Sequence, residues 1–328
     1  MSTRRYLLSK LGQALLTLAF VLAFNFFLFR GIGDPLNQLL RGARGGISPA
    51  ALERLQKELG LNLPLPQQFV HYLGQTLQGH LGLSYFYNIP VRTVIAQRIW
   101  PTVLLVGTST IASTVFGIWI GIAQGWRRGS AFDQSMLGFT LFTYAMPEFW
   151  FGLLMIMAFS VGVGFFPAIF PTGGYDTTGV VLTGISHLVD VLNHMVLPFV
   201  VLTIAYLGEY SLIMRSSLLE TLGEDFIVLA RAKGMREKRI LRKHAVPNAL
   251  LPTMTVTILG LGFVISGAIT IELIFNWPGL GLLTDTAILN RDFPVLQGMF
   301  LLFSGAVIVA NLIADLLYSY LDPRVRAG

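Results

Sequence analysis

The sequence predicts an all-α integral membrane protein of six transmembrane helices, with a small external helical subdomain between the first and the second. Three observations carry that prediction. Apolar residue types make up 54% of the 328 residues and charged ones 12%, with a mean hydropathy of +0.66, a balance foreign to a large soluble domain. Six stretches, near 8–29, 101–125, 134–161, 194–216, 248–274 and 297–320, reach the roughly 20 residues that a hydrocarbon core ~30 Å thick requires. The cations sit beside those stretches. The amino end (Arg4, Arg5, Lys10), the 126–133 turn, the 215–243 loop and the carboxyl tail (Arg324, Arg326) hold 15 of the 23 Lys/Arg.

Taken in order, the amino terminus superficially resembles a twin-arginine export signal at Arg4-Arg5. The apolar stretch behind it is long and has no small-x-small cleavage site, so an uncleaved first span is expected. Residues 30–100 then read as a folded external segment. Ser48 is placed to cap a helix with Pro49 at its first position and Gly60 at its end, and a second helical pattern covers about 67–78. The second span carries Ser109, Ser113, Gly117, Gly121 and Gly125 at every fourth position, a stripe that lets another helix approach closely. That partner is more simply a neighbouring span than another subunit. Pro147 removes a backbone hydrogen bond from the third span and is expected to kink it. The 162–193 loop holds no Lys or Arg and the 276–296 loop only Arg291, so both termini are expected on the cytoplasmic side. The domain division expected is 1–29 for the amino end and first span, 30–100 for the external segment, and 101–328 for a five-span core with a cytoplasmic loop at 217–246.

That loop is the longest polar run in the chain. Between Arg215 and Lys243 lie eight Lys/Arg and four Asp/Glu. Asp225 opens one short helix and Arg231 and Lys233 close it, each matched to the helix dipole, with Gly234 as the stop before a second helix. Phe226, Leu229, Ala230 and Lys233 recur at i, i+3, i+4, i+7 and give one apolar face with a small residue in its middle. Such a helix can dock into a partner's groove. A solvated basic loop obeying the positive-inside rule would look much the same.

Chemistry-bearing motifs are few. No G-x-x-x-x-G-K-[ST] phosphate cradle occurs, and neither G-x-S-x-G nor H-E-x-x-H. With no cysteine, thiol catalysis and Cys-ligated zinc are excluded. Clustering of the cations beside apolar spans argues against nucleic acid as the reason for the net charge of +6. Glu148, Glu209, Glu272 and Asp315 fall inside spans, where an ionisable group is costly. Interhelical hydrogen bonding is the simpler account of each; lining a translocation pathway is the functional one, favoured for Glu148 and Glu272 and extended to Asp315. His187, Asp190 and His194 share a helical face. Three such ligands suit a transition metal, but the spacing also arises by chance at membrane interfaces, and no metal site is assigned.

The run Ala230-Arg231-Ala232-Lys233-Gly234, with His244-Ala245 and Asn248-Ala249-Leu250-Leu251-Pro252, resembles the signature loop of ABC importer permeases, within the dipeptide/oligopeptide/nickel branch. Val228 and Leu229 replace the Glu and first Ala of the general Glu-Ala-Ala signature, so the branch-specific residues carry the likeness. Gly33-Asp34-Pro35, the run Leu59 to Phe69, and Gly79–Ser84 resemble the amino-terminal region of the B-type subunit, with Gly79-His80-Leu81-Gly82 where Gly-Asp-Leu-Gly is usual. Glu272, Phe275, Pro278, Gly279, Gly281, Arg291-Asp292-Phe293-Pro294, Asn311, Asp315, Tyr318 and Asp322-Pro323-Arg324 extend the resemblance over most of the chain.

The resemblance implies a type I ABC importer fold and a permease subunit in a bacterial inner membrane. It implies a second, related permease as heterodimer partner, two cytoplasmic ATPases that bind ATP and magnesium, and an external solute-binding protein; this chain itself would hold no cofactor. Asp225, Ala230, Arg231, Ala232, Lys233, Gly234, His244, Asn248 and Pro252 would then couple to the ATPase. Pro147, Pro278 and Gly279 are candidate hinges. The rival classes are a stand-alone secondary transporter or channel using the intramembrane carboxylates, and an intramembrane enzyme. Substrates left open are dipeptides, longer peptides, nickel chelates and other peptide-like solutes.

Overall fold

A computed structural model of the chain describes residues 3–32, 63–163 and 167–321. The expected helix after Ser48, Gly33-Asp34-Pro35, the first residues of the Leu59–Phe69 run and the Asp322-Pro323-Arg324 tail lie outside the described residues. Helices make up the regular structure. Among the described residues five are long and apolar enough to cross a membrane, or six if one sharply bent pair counts as a single span.

Helix α1 (Thr3–Ile32) crosses first. Helix α2 (Leu65–Leu77) follows with Pro at its start and lies where the second external pattern was expected. It is tied to α1 by a cluster of Phe26, Phe27, Phe69 and Tyr72, by the Asn25 amide donating to Tyr72 at 3.1 Å, and by Arg30 donating to Gln68.

Helix α3 (Val91–Trp126) runs unbroken for 36 residues, so the last ten residues of the expected external segment are its first turns. Pro101, the first residue of the expected span, sits inside the helix, next to a widened π turn at Val103–Gly107. Its carbonyl accepts the Trp277 indole N–H at 2.9 Å.

The third span is two helices, α4 (Ala131–Ala145) and α5 (Glu148–Gly162), at 97° to one another. Met146 precedes Pro147 and is extended, with ψ 127, because a residue before proline is pushed out of the α region. The expected kink is thus a complete break.

Helix α6 (Ile185–Leu222) has 38 residues, well beyond the expected 194–216. The small-residue stripe of α3 packs on it. A methyl group on Gly117 would meet Tyr210 Cβ at 2.6 Å, one on Gly121 the Ser211 carbonyl at 2.6 Å, and one on Gly125 the Leu218 side chain at 3.0 Å. Rising numbers on both sides make the pair parallel, and the partner left open by the sequence is a span of the same chain.

After helix α7 (Asp225–Ala232) comes α8 (Glu237–Ser266), which starts eleven residues before the expected fifth span and stops eight residues before its end. The stop is Gly267, at φ +74. Helices α9 (Ile269–Ile274) and α10 (Leu280–Leu289) then fold back over that end of the bundle. Helix α11 (Phe293–Leu321) returns antiparallel to α1, with Phe29 against Phe293, Phe24 against Phe300 and Lys10 against Asp315.

Three buried clusters hold the bundle. One joins α3, α6, α8 and α9 around Leu105, Leu202, Phe275 and Trp277. A second joins α3, α10 and α11 around Val94, Leu283 and Met299. The third lies under α7.

Candidate functional site

The α7 region is built from its own caps upward. Beyond Ala232, Lys233 and Gly234 close the helix: Gly234 N–H donates to the Arg231 carbonyl at 2.9 Å and Met235 N–H to the Ala230 carbonyl at 3.3 Å. This is the double bond of a Schellman stop, and it needs the left-handed residue that Gly234 supplies at φ +73. Across the turn Arg231 bonds Glu237 at 3.0 Å, clipping the end of α7 to the start of α8. Both side chains are about half exposed, so the pair sets geometry more than stability.

Ile227 and Ala230 face inward and pack on Met214, Leu218, Ile240, Ala245 and Ala249. Phe226, Val228 and Leu229 are left 40%, 56% and 55% exposed. The expected face of Phe226, Leu229, Ala230 and Lys233 is therefore divided. Ala230 belongs to the inner side with Ile227, three residues away, while Phe226, Leu229 and Lys233 remain outside. Asp225, Arg231 and Ala232 are exposed as well. Further along, the Asn248 amide donates to the His244 carbonyl at 2.7 Å, and Pro252 lies exposed inside α8. Neither Asn248 nor Pro252 adjoins the apolar surface of α7 in sequence; His244 is half-buried beside them.

The root of α7 is fixed by a contact that sequence reasoning missed. Arg215, one of the cations of the basic loop by composition, donates from Nε and an Nη to the two Asp133 oxygens at 2.8 and 2.9 Å. Asp133 is 2% exposed and also accepts the Gly129 N–H at 2.9 Å. The ion pair pins the first turn of α4 to α6 two turns before α6 ends. The 82-residue separation leaves no trace in local pattern.

The four span acids separate on inspection. Glu272 has no exposed surface. Its oxygens accept Thr102 Oγ1 at 2.9 Å and the N–H groups of Gly281 and Leu282 at 2.7 and 3.1 Å. It thus holds the start of α10 against α3. Gly279, a candidate hinge, is packed instead: a side-chain carbon there would collide with the Glu272 carboxylate and the Thr102 hydroxyl. Pro278 precedes it in the same enclosed turn, after fully buried Trp277. Asp315 pairs with Lys10 at 3.1 Å between α11 and α1. Glu148, half-buried, stands in the first turn of α5 directly after the break at Pro147, beside Thr270 and Tyr206. Glu209 is exposed one turn from Tyr206.

A third buried carboxylate, Asp292, stands just before α11, where it accepts the Val295 N–H at 3.5 Å. It accepts Ser84 Oγ and the N–H groups of Tyr85 and Phe86 at 3.1 and 3.2 Å, anchoring the 84–90 turn to the core. Of His187, Asp190 and His194, the last two contact each other and His187 turns elsewhere. Asp190 accepts the Thr177 N–H and hydroxyl at 2.7 and 2.8 Å, His187 faces Asp176 at 3.4 Å, and His194 Nδ1 bonds the Asp190 carbonyl. Among the described residues no three His, Asp or Glu converge on a metal position.

A bundle of membrane-length helices that carries a short, braced helix with an exposed apolar side defines a polytopic membrane protein. Known proteins narrow this class. Residues 113–327 match the family model described as binding-protein-dependent transport system inner membrane component, and residues 3–106 match the model for the N-terminal part of such membrane components. The chain is 39% identical over 329 residues to the dipeptide transport system permease protein DppB of Escherichia coli K12, covering 96% of this chain and 94% of that one. It is 37% identical over 295 residues to the oligopeptide transport system permease protein AppB of Bacillus subtilis, 90% of each. To the di/tripeptide transport system permease protein DppB of Pseudomonas aeruginosa it is 34% identical over 332 residues, 98% of each. The chain belongs to the family of permease subunits of binding-protein-dependent ABC importers, with the all-helical fold of that family.

Proposed function

We propose that this permease imports peptides or peptide-like solutes, as the names of its relatives say of them. It forms one half of a two-permease channel with a related, non-identical permease, in a bacterial inner membrane with both termini cytoplasmic. Two cytoplasmic ATPases, which hold ATP and magnesium, drive it, and an external solute-binding protein delivers substrate. The chain itself carries no phosphate-binding motif, so the energy must come from those partners.

The observation that carries this reading is α7. Its inner side, Ile227 and Ala230, is fixed to the ends of α6 and α8, and its outer side leaves Phe226, Val228 and Leu229 uncovered. A short helix so braced transmits a push as a rigid body. ATP-driven closure of the ATPase pair moves α7, and α6 and α8 tilt with it between two discrete packings. Arg231 and Gly234 keep the shape of this lever; Asp225, Ala232 and Lys233 meet the ATPase, and Ala230 permits close seating from within. His244, Asn248 and Pro252 shape the join to α8. Glu148 lines the pathway at the break between α4 and α5, where Pro147 is the hinge.

The test is gentle detergent extraction of the chain from its native membrane, with mass spectrometry of what accompanies it. A second permease, P-loop ATPases and a solute-binding protein are expected. Recovery of the chain alone, repeated after crosslinking, would overturn the reading in favour of a stand-alone transporter.

A further inference from the structure

The first turns of α8 carry Lys238, Arg239, Arg242 and Lys243, all exposed. The spacing i, i+1, i+4, i+5 gathers them on one side of the helix. The other side is occupied: Ile240 and Ala245 have no exposed surface and pack beneath α7. Among the described residues none of the four forms an ion pair. Glu237 is the only acidic residue between Asp225 and Glu272, and it is engaged by Arg231. The same helix runs without interruption into the apolar span, since Glu237–Ser266 is one helix with a mean hydropathy of 1.9 in its membrane window. At ~1.5 Å per residue, Lys238 stands about 12 Å and Lys243 about 5 Å from Val246, where the apolar run begins. Four cations thus sit on the two turns that precede the apolar run, on long stems able to reach along a membrane boundary.

We infer that Lys238, Arg239, Arg242 and Lys243 form a binding face for the phosphate groups of anionic phospholipids. It is separate from the apolar surface of α7, which lies on another helix. Clustered Lys/Arg beside a span attract anionic headgroups by ~1 kcal/mol each, roughly five-fold per cation at close range. The phosphates give the foot of α8 a fixed counter-layer. Arg127 and Arg128, exposed on the turn between α3 and α4, add positive charge at the same end of the bundle.

The experiment uses the full chain, purified with its accompanying subunits and placed in nanodiscs of phosphatidylcholine with graded fractions of phosphatidylglycerol. Native mass spectrometry after release counts the lipids retained. The wild type is expected to keep phosphatidylglycerol over phosphatidylcholine. The variant K238Q/R239Q/R242Q/K243Q is expected to lose that preference at least ten-fold. K238R/K243R is expected to keep it. The half-variants K238Q/R239Q and R242Q/K243Q serve if the quadruple one fails to insert, each losing part of the preference. An unchanged preference in the glutamine variants overturns the inference. So does retained lipid preference with loss of the accompanying ATPase, which would assign the face to a protein partner.

Discussion

The Asp133–Arg215 pair offers the most quantitative test of the packing. Asp133→Ala removes a carboxylate that is 2% exposed and leaves the Arg215 guanidinium, with 19% of its side chain exposed, facing a gap. It also strands the Gly129 N–H, which Asp133 accepts at 2.9 Å. Breaking a buried pair by removing one partner costs about 3–5 kcal/mol, mostly from the uncompensated charge. Partial access of Arg215 to water puts the expectation near the lower end, at about 3 kcal/mol. Arg215→Ala should cost a similar amount, and the double variant much less than the sum, giving a coupling energy of about 2 kcal/mol. Equilibrium unfolding of the four proteins in mixed micelles, followed by tryptophan fluorescence, measures all four corners. Losses under ~1 kcal/mol for both single variants, the value of an exposed pair, would refute the argument that this contact fixes α4 to α6.

Other expectations follow from single contacts. Gly121→Leu should separate α3 from α6, because even a methyl group there lies 2.6 Å from the Ser211 carbonyl; a loss of monodisperse protein on size-exclusion chromatography is expected, whereas Gly138→Leu, with nothing within 4 Å, should be tolerated. Glu272→Ala should leave the N–H groups of Gly281 and Leu282 and the Thr102 hydroxyl without their acceptor, costing roughly 3 kcal/mol or more; proteolysis near α10 should rise sharply. Gly234→Val forces a β-branched residue to φ +73; at ~1–2 kcal/mol of local strain, uptake by the reconstituted importer should fall while membrane insertion is retained.

Much of the fold was written in local pattern. Among the described residues each membrane-length helix overlaps a stretch that hydropathy marks, and the spacing of Asp225, Arg231, Lys233 and Gly234 draws α7 and its stop, because caps and dipole complementarity act within a few residues. Boundaries failed where tertiary contacts override local signals. The second span is expected from residue 101, yet Pro101 lies inside α3, accommodated by a π turn and by Trp277 bonding its carbonyl. The fifth span was drawn through Gly267, whose positive φ ends α8 and allows α9 and α10 to fold back. The roles of the acids were the least legible. In the sequence Glu272, Asp315 and Glu148 are alike as acids in apolar stretches, and only the distant partners Thr102, Gly281 and Lys10 tell them apart. Ala230 was assigned to the outer face because a small residue and a groove residue look alike in a helical projection.

The central claim is that the outer side of α7 is where force enters the permease. The chain has no cysteine, so single cysteines can be placed without background. Leu229→Cys, on a residue 55% exposed, and Ile227→Cys, on one with no exposed surface, lie two positions apart on the same helix. With a short bifunctional crosslinker in native membranes, Leu229→Cys should yield an ATP-modulated adduct with the ATPase subunit and Ile227→Cys should yield none. Equal adducts from both positions, or none from Leu229→Cys in membranes where the ATPase is present, would contradict the account.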